Sequence, residues 1–131
     1  MIIKKLIGRN ASLLILLLSL VTCDNYTFPE SPYSRVKTLE VMRSNDGVIL
    51  RADIFSLGDY PILNHGFVWN DNGALVGLLI GEVIELGPTA KTGIYQAEIK
   101  GLTMGKEYWF RALLNGEEHE VRGNVISFKF E

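Results

Sequence analysis

The clearest pattern in the chain is the run VILRADIF at residues 48–55. Every second side chain on one face is apolar: Val48, Leu50, Ala52 and Ile54. Arg51 and Asp53 lie on the opposite face. A period of two predicts a half-buried β-strand. The Asn45-Asp46-Gly47 sequence before it is a turn signal, because Asp-Gly tolerates positive φ.

Further segments of strand length lie on both sides of this run and are separated by turn signals. They are 36–42, 66–69, 75–86, 94–100, 108–114 and 121–130. About seven short antiparallel strands in roughly 100 residues are typical of an immunoglobulin-like sandwich. The sequence therefore predicts an all-β sandwich over residues 36–131.

The register of residues 75–86, LVGLLIGEVIEL, is the least defined. The segment is apolar throughout and contains Gly77 and Gly81. Two glycines and several β-branched residues favour an irregular or bulged strand, which could be an extra edge strand. A helix remains an alternative here.

Composition limits the classes of function. The 131 residues are 47% hydrophobic and 21% charged, which excludes a mostly disordered chain and suits one domain. Lys and Arg number 13 against 15 Asp and Glu, so there is no electrostatic footprint for nucleic acid. A single cysteine excludes an internal disulfide framework.

The N-terminus has the build of a secretory signal peptide. Lys4, Lys5 and Arg9 form a basic head, and residues 11–21 form an apolar run. This run is shorter than the roughly 20 residues that a membrane-spanning helix needs. We therefore expect residues 1–22 to be a signal peptide, with an uncleaved anchor or a buried helix as the alternatives.

The end of this segment, Leu20-Val21-Thr22-Cys23, resembles the lipobox of bacterial lipoprotein signal peptides. The resemblance implies cleavage before Cys23, acylation of its thiol and membrane attachment through the acyl chains. Thr22 departs from the family, which usually has Gly, Ala or Ser there. The alternative for Cys23 is a free buried thiol. Residues 23–35, with Pro29 and Pro32, are predicted to form an extended tether whose aromatic residues either bind something or pack on the domain.

Four segments of the remaining chain carry a second resemblance. They are HGFVW at 65–69, GIYQAEIKGL at 93–102, GKEYWFRA at 105–112 and GNVISF at 123–128. Their order and spacing resemble the fibronectin type III-like domains in lipoproteins and surface proteins of Bacteroidetes-type bacteria. The resemblance implies a tyrosine corner at Leu102 and Tyr108, in which the hydroxyl bonds to the chain upstream. Met104 replaces the proline of the family pattern.

The sequence contains few candidate residues for catalysis or metal binding. His65 and His119 lie far apart in the sequence without a cysteine partner, so no zinc site is expected. Asn70-Asp71-Asn72-Gly73 is predicted to be a turn rather than a calcium loop. There is no GxSxG, GxGxxG or Walker motif, and the Glu pairs at 82/85 and 117/118/120 are typical of solvated edge protection. We expect no enzyme activity, metal or cofactor.

The strand register places Trp109, Arg111, Leu113 and Val125 on the outer face of one sheet. An apolar patch with an Arg at its rim is a candidate partner surface. The alternative is that the tether or residues 75–86 cover Trp109.

These observations predict a non-catalytic, lipid-anchored binding or adhesion module of the cell envelope, on the outer membrane, that contacts a protein or glycan. A structural accessory subunit of an envelope uptake or assembly complex is the alternative. A small enzyme or inhibitor is the third and weakest hypothesis.

The lipidation hypothesis predicts that Cys23→Ser abolishes incorporation of labelled fatty acid, because a serine hydroxyl does not replace the acylated thiol. Thr22→Ala keeps the thiol and restores the usual lipobox residue, so this control should retain the label. Label in the Cys23→Ser protein would contradict the hypothesis.

Overall fold

The computed structural model describes residues 31–131, in which β-strands are the predominant regular structure. Its elements are β1 (Arg35–Arg43), β2 (Gly47–Ser56), β3 (Asn64–Asn70), α1 (Gly73–Gly77), β4 (Glu82–Glu85), β5 (Gly93–Lys100), β6 (Glu107–Asn115), β7 (Glu120–Arg122) and β8 (Ile126–Lys129). In the residues that the structure describes, no helix is long and apolar enough to cross a membrane.

The strands form two antiparallel sheets. One has the order β1-β2-β5, and the other has the order β4-β3-β6-β7, with β8 also paired to β6. The two sheets pack face to face as an immunoglobulin-like sandwich, which confirms the predicted all-β fold class.

The core follows the predicted alternation. Its largest contributions come from β2 and β6, whose inward side chains are Val48, Leu50, Ala52, Ile54, Tyr108, Phe110, Ala112 and Leu114. Phe67 of β3 is fully buried, and its ring centroid lies 6.0 Å from that of Phe110. Tyr95 also connects the sheets, because its hydroxyl donates a hydrogen bond to Gly66 O at 2.8 Å. Burial raises the pKa of Tyr95.

Residues 75–86 do not form the irregular strand that the sequence favoured. The segment begins within the short helix α1 and ends in β4, which pairs with β3 at the sheet edge. Asn72 caps the helix, because its side-chain oxygen accepts from the N–H groups of Ala74 and Leu75 at 3.0 and 3.3 Å. The extra edge strand is therefore present, but only over Glu82–Glu85.

The predicted last strand, residues 121–130, is interrupted. Leu113 pairs with Arg122, and continuing that register would place Phe110 opposite Val125. Phe110 instead pairs with Ile126, so one extra residue is accommodated between β7 and β8. The interruption contains Gly123 and Asn124.

This interruption is where β1 joins the second sheet. Asn124 Oδ1 accepts from Thr38 N–H at 2.9 Å, and Asn124 Nδ2 donates to Thr38 O at 3.3 Å. The buried Thr38 hydroxyl accepts from Ala112 N–H at 3.0 Å. A side chain at position 123 would collide with this hydroxyl, which explains why glycine stands there. We refer to these contacts as the Thr38 junction.

The chain preceding β1 is bound to the domain. Pro32 O accepts from Asp59 N–H at 2.7 Å, and Gly58, at φ +68°, leaves the space that Pro32 and Tyr33 occupy. The predicted tether over residues 23–35 thus contacts the domain at its C-terminal end, where Tyr33 is one of the aromatic residues that pack on it. The compact unit begins at Ser31, whereas the sequence placed its start at Val36.

The Thr38 junction predicts that Gly123→Ala destabilises the protein by about 1–3 kcal/mol, the usual cost of an overpacked site. Chemical denaturation measures the change. Gly77→Ala is the matched control, because its added methyl meets no atom within 4 Å and its change should stay under about 1 kcal/mol. Equal stabilities of the Gly123→Ala and wild-type proteins would contradict the assigned role of Gly123.

Candidate functional site

The patch predicted on the outer sheet face is largely covered. Leu113 is buried at 6% exposure, so it cannot contribute to an exposed contact patch on this face. Trp109 is half-buried against Gly73 of α1, where a β-carbon would approach the indole nitrogen to 2.8 Å. Val76 of the same helix is fully buried, and only Val125 retains substantial exposure. Residues 73–77 thus provide the cover that the sequence left as an alternative.

Arg111 has a structural role in this cover. Its Nε donates to Gly123 O at 2.9 Å, and its Nη1 donates to Gly77 O at 3.4 Å. Burial lowers the pKa of Arg111, and Arg122 adds repulsion. The guanidinium therefore ties the end of α1 to the sheet beside the Thr38 junction, rather than forming the rim of an open patch.

The residues predicted to form a tyrosine corner have the required contact. The Tyr108 hydroxyl accepts from Thr103 N–H at 2.8 Å, five residues upstream. Leu102 is partly buried and packs against the core. Met104, which replaces the proline of the family pattern, is 64% exposed, and the turn around it retains a hydrogen bond from Lys106 N–H to Thr103 O at 3.2 Å.

The histidines form no metal site in the described structure. His65 Nδ1 lies 2.7 Å from Gly87 O, and because a carbonyl only accepts, this nitrogen carries the proton. The ring of His65 packs edge-on against Tyr95. Within residues 31–131, no three His, Cys, Asp or Glu side chains are close enough to hold a metal ion. Cys23, the predicted lipidation site, lies outside the described residues.

His119 belongs to an aromatic cluster that the sequence did not predict. Its ring centroid lies 5.3 Å from that of Tyr33 and 5.5 Å from that of Tyr60, and the two tyrosine centroids are 5.4 Å apart. All three pairs are tilted, with interplanar angles of 32–48°. The three residues come from the N-terminal segment, the β2–β3 loop and the β6–β7 hairpin.

This cluster lines a cleft of about 380 Å³ at one end of the sandwich. The lining residues are Tyr33, Tyr60, Pro61, Leu63, Glu117, Glu118 and His119. We call it the aromatic cleft. Its volume lies within the range of about 300–1,000 Å³ that is usual for ligand pockets.

Backbone hydrogen bonds position the three segments that carry Tyr33, Tyr60 and His119. Pro32 O holds the Asp59–Tyr60 loop next to Tyr33. Leu63 N–H donates to Asn115 O at 2.8 Å, which joins the loop to the end of β6. Gly116 N–H donates to His119 O at 2.9 Å, and a side chain at Gly116 would collide with the His119 ring.

The charge of the aromatic cleft is negative and uncompensated by its own lining. Glu117 and Glu118 are exposed, and neither forms a salt bridge within residues 31–131. The next acidic residue, Glu120, is paired with Arg122 at 2.9 Å. Among residues 31–131, no lysine or arginine lines the cleft.

A second hollow of about 270 Å³ lies at the other end of the sandwich, beside Trp69, Asp71 and Tyr108. Lys106 reaches across to Asp71 at 2.6 Å. This contact lowers the pKa of Asp71 and raises that of Lys106. Asp71 is therefore paired, in contrast to Glu117 and Glu118 of the aromatic cleft, although Glu82 also lines this hollow and forms no salt bridge within residues 31–131.

No protein-family model matches the chain, and the comparison with curated proteins finds no match. Function must therefore be inferred from the geometry of the sites described above.

The tyrosine-corner contact predicts that Tyr108→Phe lowers the free energy of unfolding by about 1–3 kcal/mol, because the Thr103 N–H loses its acceptor. Tyr60→Phe removes a hydroxyl from an exposed ring and should change stability by less than about 0.5 kcal/mol. Denaturant titration compares the two variants. If both behave alike, the Tyr108 hydroxyl has no special role in stability.

Proposed function

We propose that this protein is a non-catalytic binding module of the cell envelope, anchored by acyl chains on Cys23, and that the aromatic cleft is its contact site for a protein or glycan. The observation that carries the proposal is the cleft itself. Tyr33 and Tyr60 keep 44% and 48% of their surface exposed although their rings are packed together.

The arrangement of the aromatic cleft is suited to recognition. Tyrosine supplies a large contact area with few rotatable bonds, and its hydroxyl can remain solvated until a partner binds. The walls are loops and a hairpin fixed to the ends of strands, which is a common way for a rigid sandwich to present a binding surface.

The absence of catalysis is part of the proposal. Of the two histidines, His65 is bonded to a backbone carbonyl, and His119 is packed between aromatic rings. Neither contacts a serine or threonine hydroxyl through a hydrogen bond in residues 31–131. A nucleophile without a base in reach is a poor candidate for covalent catalysis.

The proposed localisation rests on the sequence. The basic head, the short apolar run and Cys23 support export and lipidation. The strand order and the Tyr108 contact support membership of the fibronectin type III-like group that the four motif segments resemble. We propose that the tether links this domain to the outer membrane and holds it off the membrane surface.

Site-specific photo-cross-linking in intact cells tests the proposal. A photoreactive residue at Leu63, which is 51% exposed and lines the cleft, should form an adduct with the bound partner. Met104 is the control, because it is 64% exposed and lies before β6, whereas the cleft lies beyond its end. Tyr60→Ala should remove the Leu63 adduct.

Equal adducts at positions 63 and 104, or an adduct that survives Tyr60→Ala, would contradict the role of the cleft. Protease treatment of the same intact cells tests the proposed localisation. Loss of the mature chain places the domain on the outer surface, whereas survival until the envelope is broken favours an accessory subunit of a periplasmic complex.

A further inference from the structure

We propose that the aromatic cleft selects an organic cation, namely the ammonium or guanidinium group of a lysine or arginine on a basic peptide segment of a partner protein. The inference rests on the proposed function, since it names the ligand class of the same cleft. Three features carry it: the aromatic wall, the carboxylates of Glu117 and Glu118, which form no salt bridge within residues 31–131, and the apolar side chains of Pro61 and Leu63.

The aromatic wall attracts cations. The face of a tyrosine ring carries negative potential, and a cation within about 6 Å of the ring centroid is stabilised by it. The rings of Tyr33, Tyr60 and His119 touch one another at 5.3–5.5 Å, so no space remains between them for a guest. They form one continuous concave wall, on which a cation would lie.

The carboxylates of Glu117 and Glu118 make the charge of the aromatic cleft negative. Glu117 and Glu118 line it, and no salt bridge within the described residues neutralises either of them. An anionic ligand would be repelled. The hydroxyls of a sugar could donate hydrogen bonds to the carboxylates but would leave their charge unneutralised, whereas an ammonium or guanidinium group both donates and neutralises.

The apolar part of the lining distinguishes a side chain from a small free cation. Pro61 and Leu63 extend the wall, and Leu63 keeps 51% of its surface exposed. Lysine and arginine carry their charge on a flexible apolar stem, which packs on such surfaces. A cleft of about 380 Å³ has room for the stem and its flanking residues.

Fluorescence anisotropy tests the inference with the full chain in a polyoxyethylene detergent, which carries neither sugar nor choline groups. The probe is a fluorescein-labelled peptide of four lysines. We expect Glu117→Gln/Glu118→Gln and Tyr60→Ala each to weaken its binding about tenfold, a change of about 1.4 kcal/mol. Acetylation of the four lysines should abolish binding, because it removes their charge.

The matched control is Glu82→Gln/Glu85→Gln, which removes the same number of charges from β4 and lies outside the cleft lining. The affinity of this variant for the lysine peptide should stay within twofold of that of the wild-type protein. Tyr60→Phe keeps the ring and should also bind within twofold. Equal weakening by the two Gln pairs would overturn the inference in favour of non-specific attraction.

Other ligands separate failure of the inference from failure of the proposed function. If a neutral tetrasaccharide or the acetylated peptide binds in a manner that Tyr60→Ala abolishes, the cation assignment is wrong while the cleft remains a binding site. If choline binds and the lysine peptide does not, the peptide source is wrong. If no probe binds, the inference fails, and the cross-linking experiment decides the proposed function independently.

Discussion

One buried hydroxyl determines how the two sheets meet along β1. Thr38 is 1% exposed, and its Oγ1 satisfies the N–H of Ala112 in the opposite sheet. An unpaired N–H at that depth would cost about 1–3 kcal/mol. Asn124 completes the arrangement by pairing with the backbone of the same residue, 86 positions away. The break between β7 and β8, the glycine at 123 and the anchoring of Arg111 all surround this contact.

The elements that the sequence predicted well are those with one buried face. Along β2 and β6 the period of two records which side chains enter the core. Residues 75–86 lack this contrast, because α1 covers the outer sheet face and Ile84 packs on the inner one. Because apolar side chains lie on both faces of this segment, its sequence shows no alternation of apolar and polar residues. Asn72, placed to cap a helix, was the local signal for α1.

The candidate sites show a different limit. The sequence placed Trp109, Arg111 and Leu113 on the outer face, but strand alternation does not reveal what packs on that face. The aromatic cleft was not predicted because Tyr33, Tyr60 and His119 lie in three separate loops without a shared motif. Only the fold brings them together. Tyr108 differs, since its hydroxyl contacts a residue five positions away and local spacing is sufficient.

The position of Tyr33 has a mechanical consequence. It belongs to residues 31–34, which are held by the Pro32–Asp59 bond outside the strands. β1, in contrast, is locked between β2 and the Thr38 junction. A pulling force on the N-terminal side of the domain therefore acts first on the hydrogen bonds that Pro32 O accepts from Asp59 and Tyr60 and on the tilted packing of the Tyr33 ring. Such a force would separate Tyr33 from Tyr60 and His119 before any strand separates. Tension on the N-terminal segment would therefore weaken the binding of a ligand in the aromatic cleft.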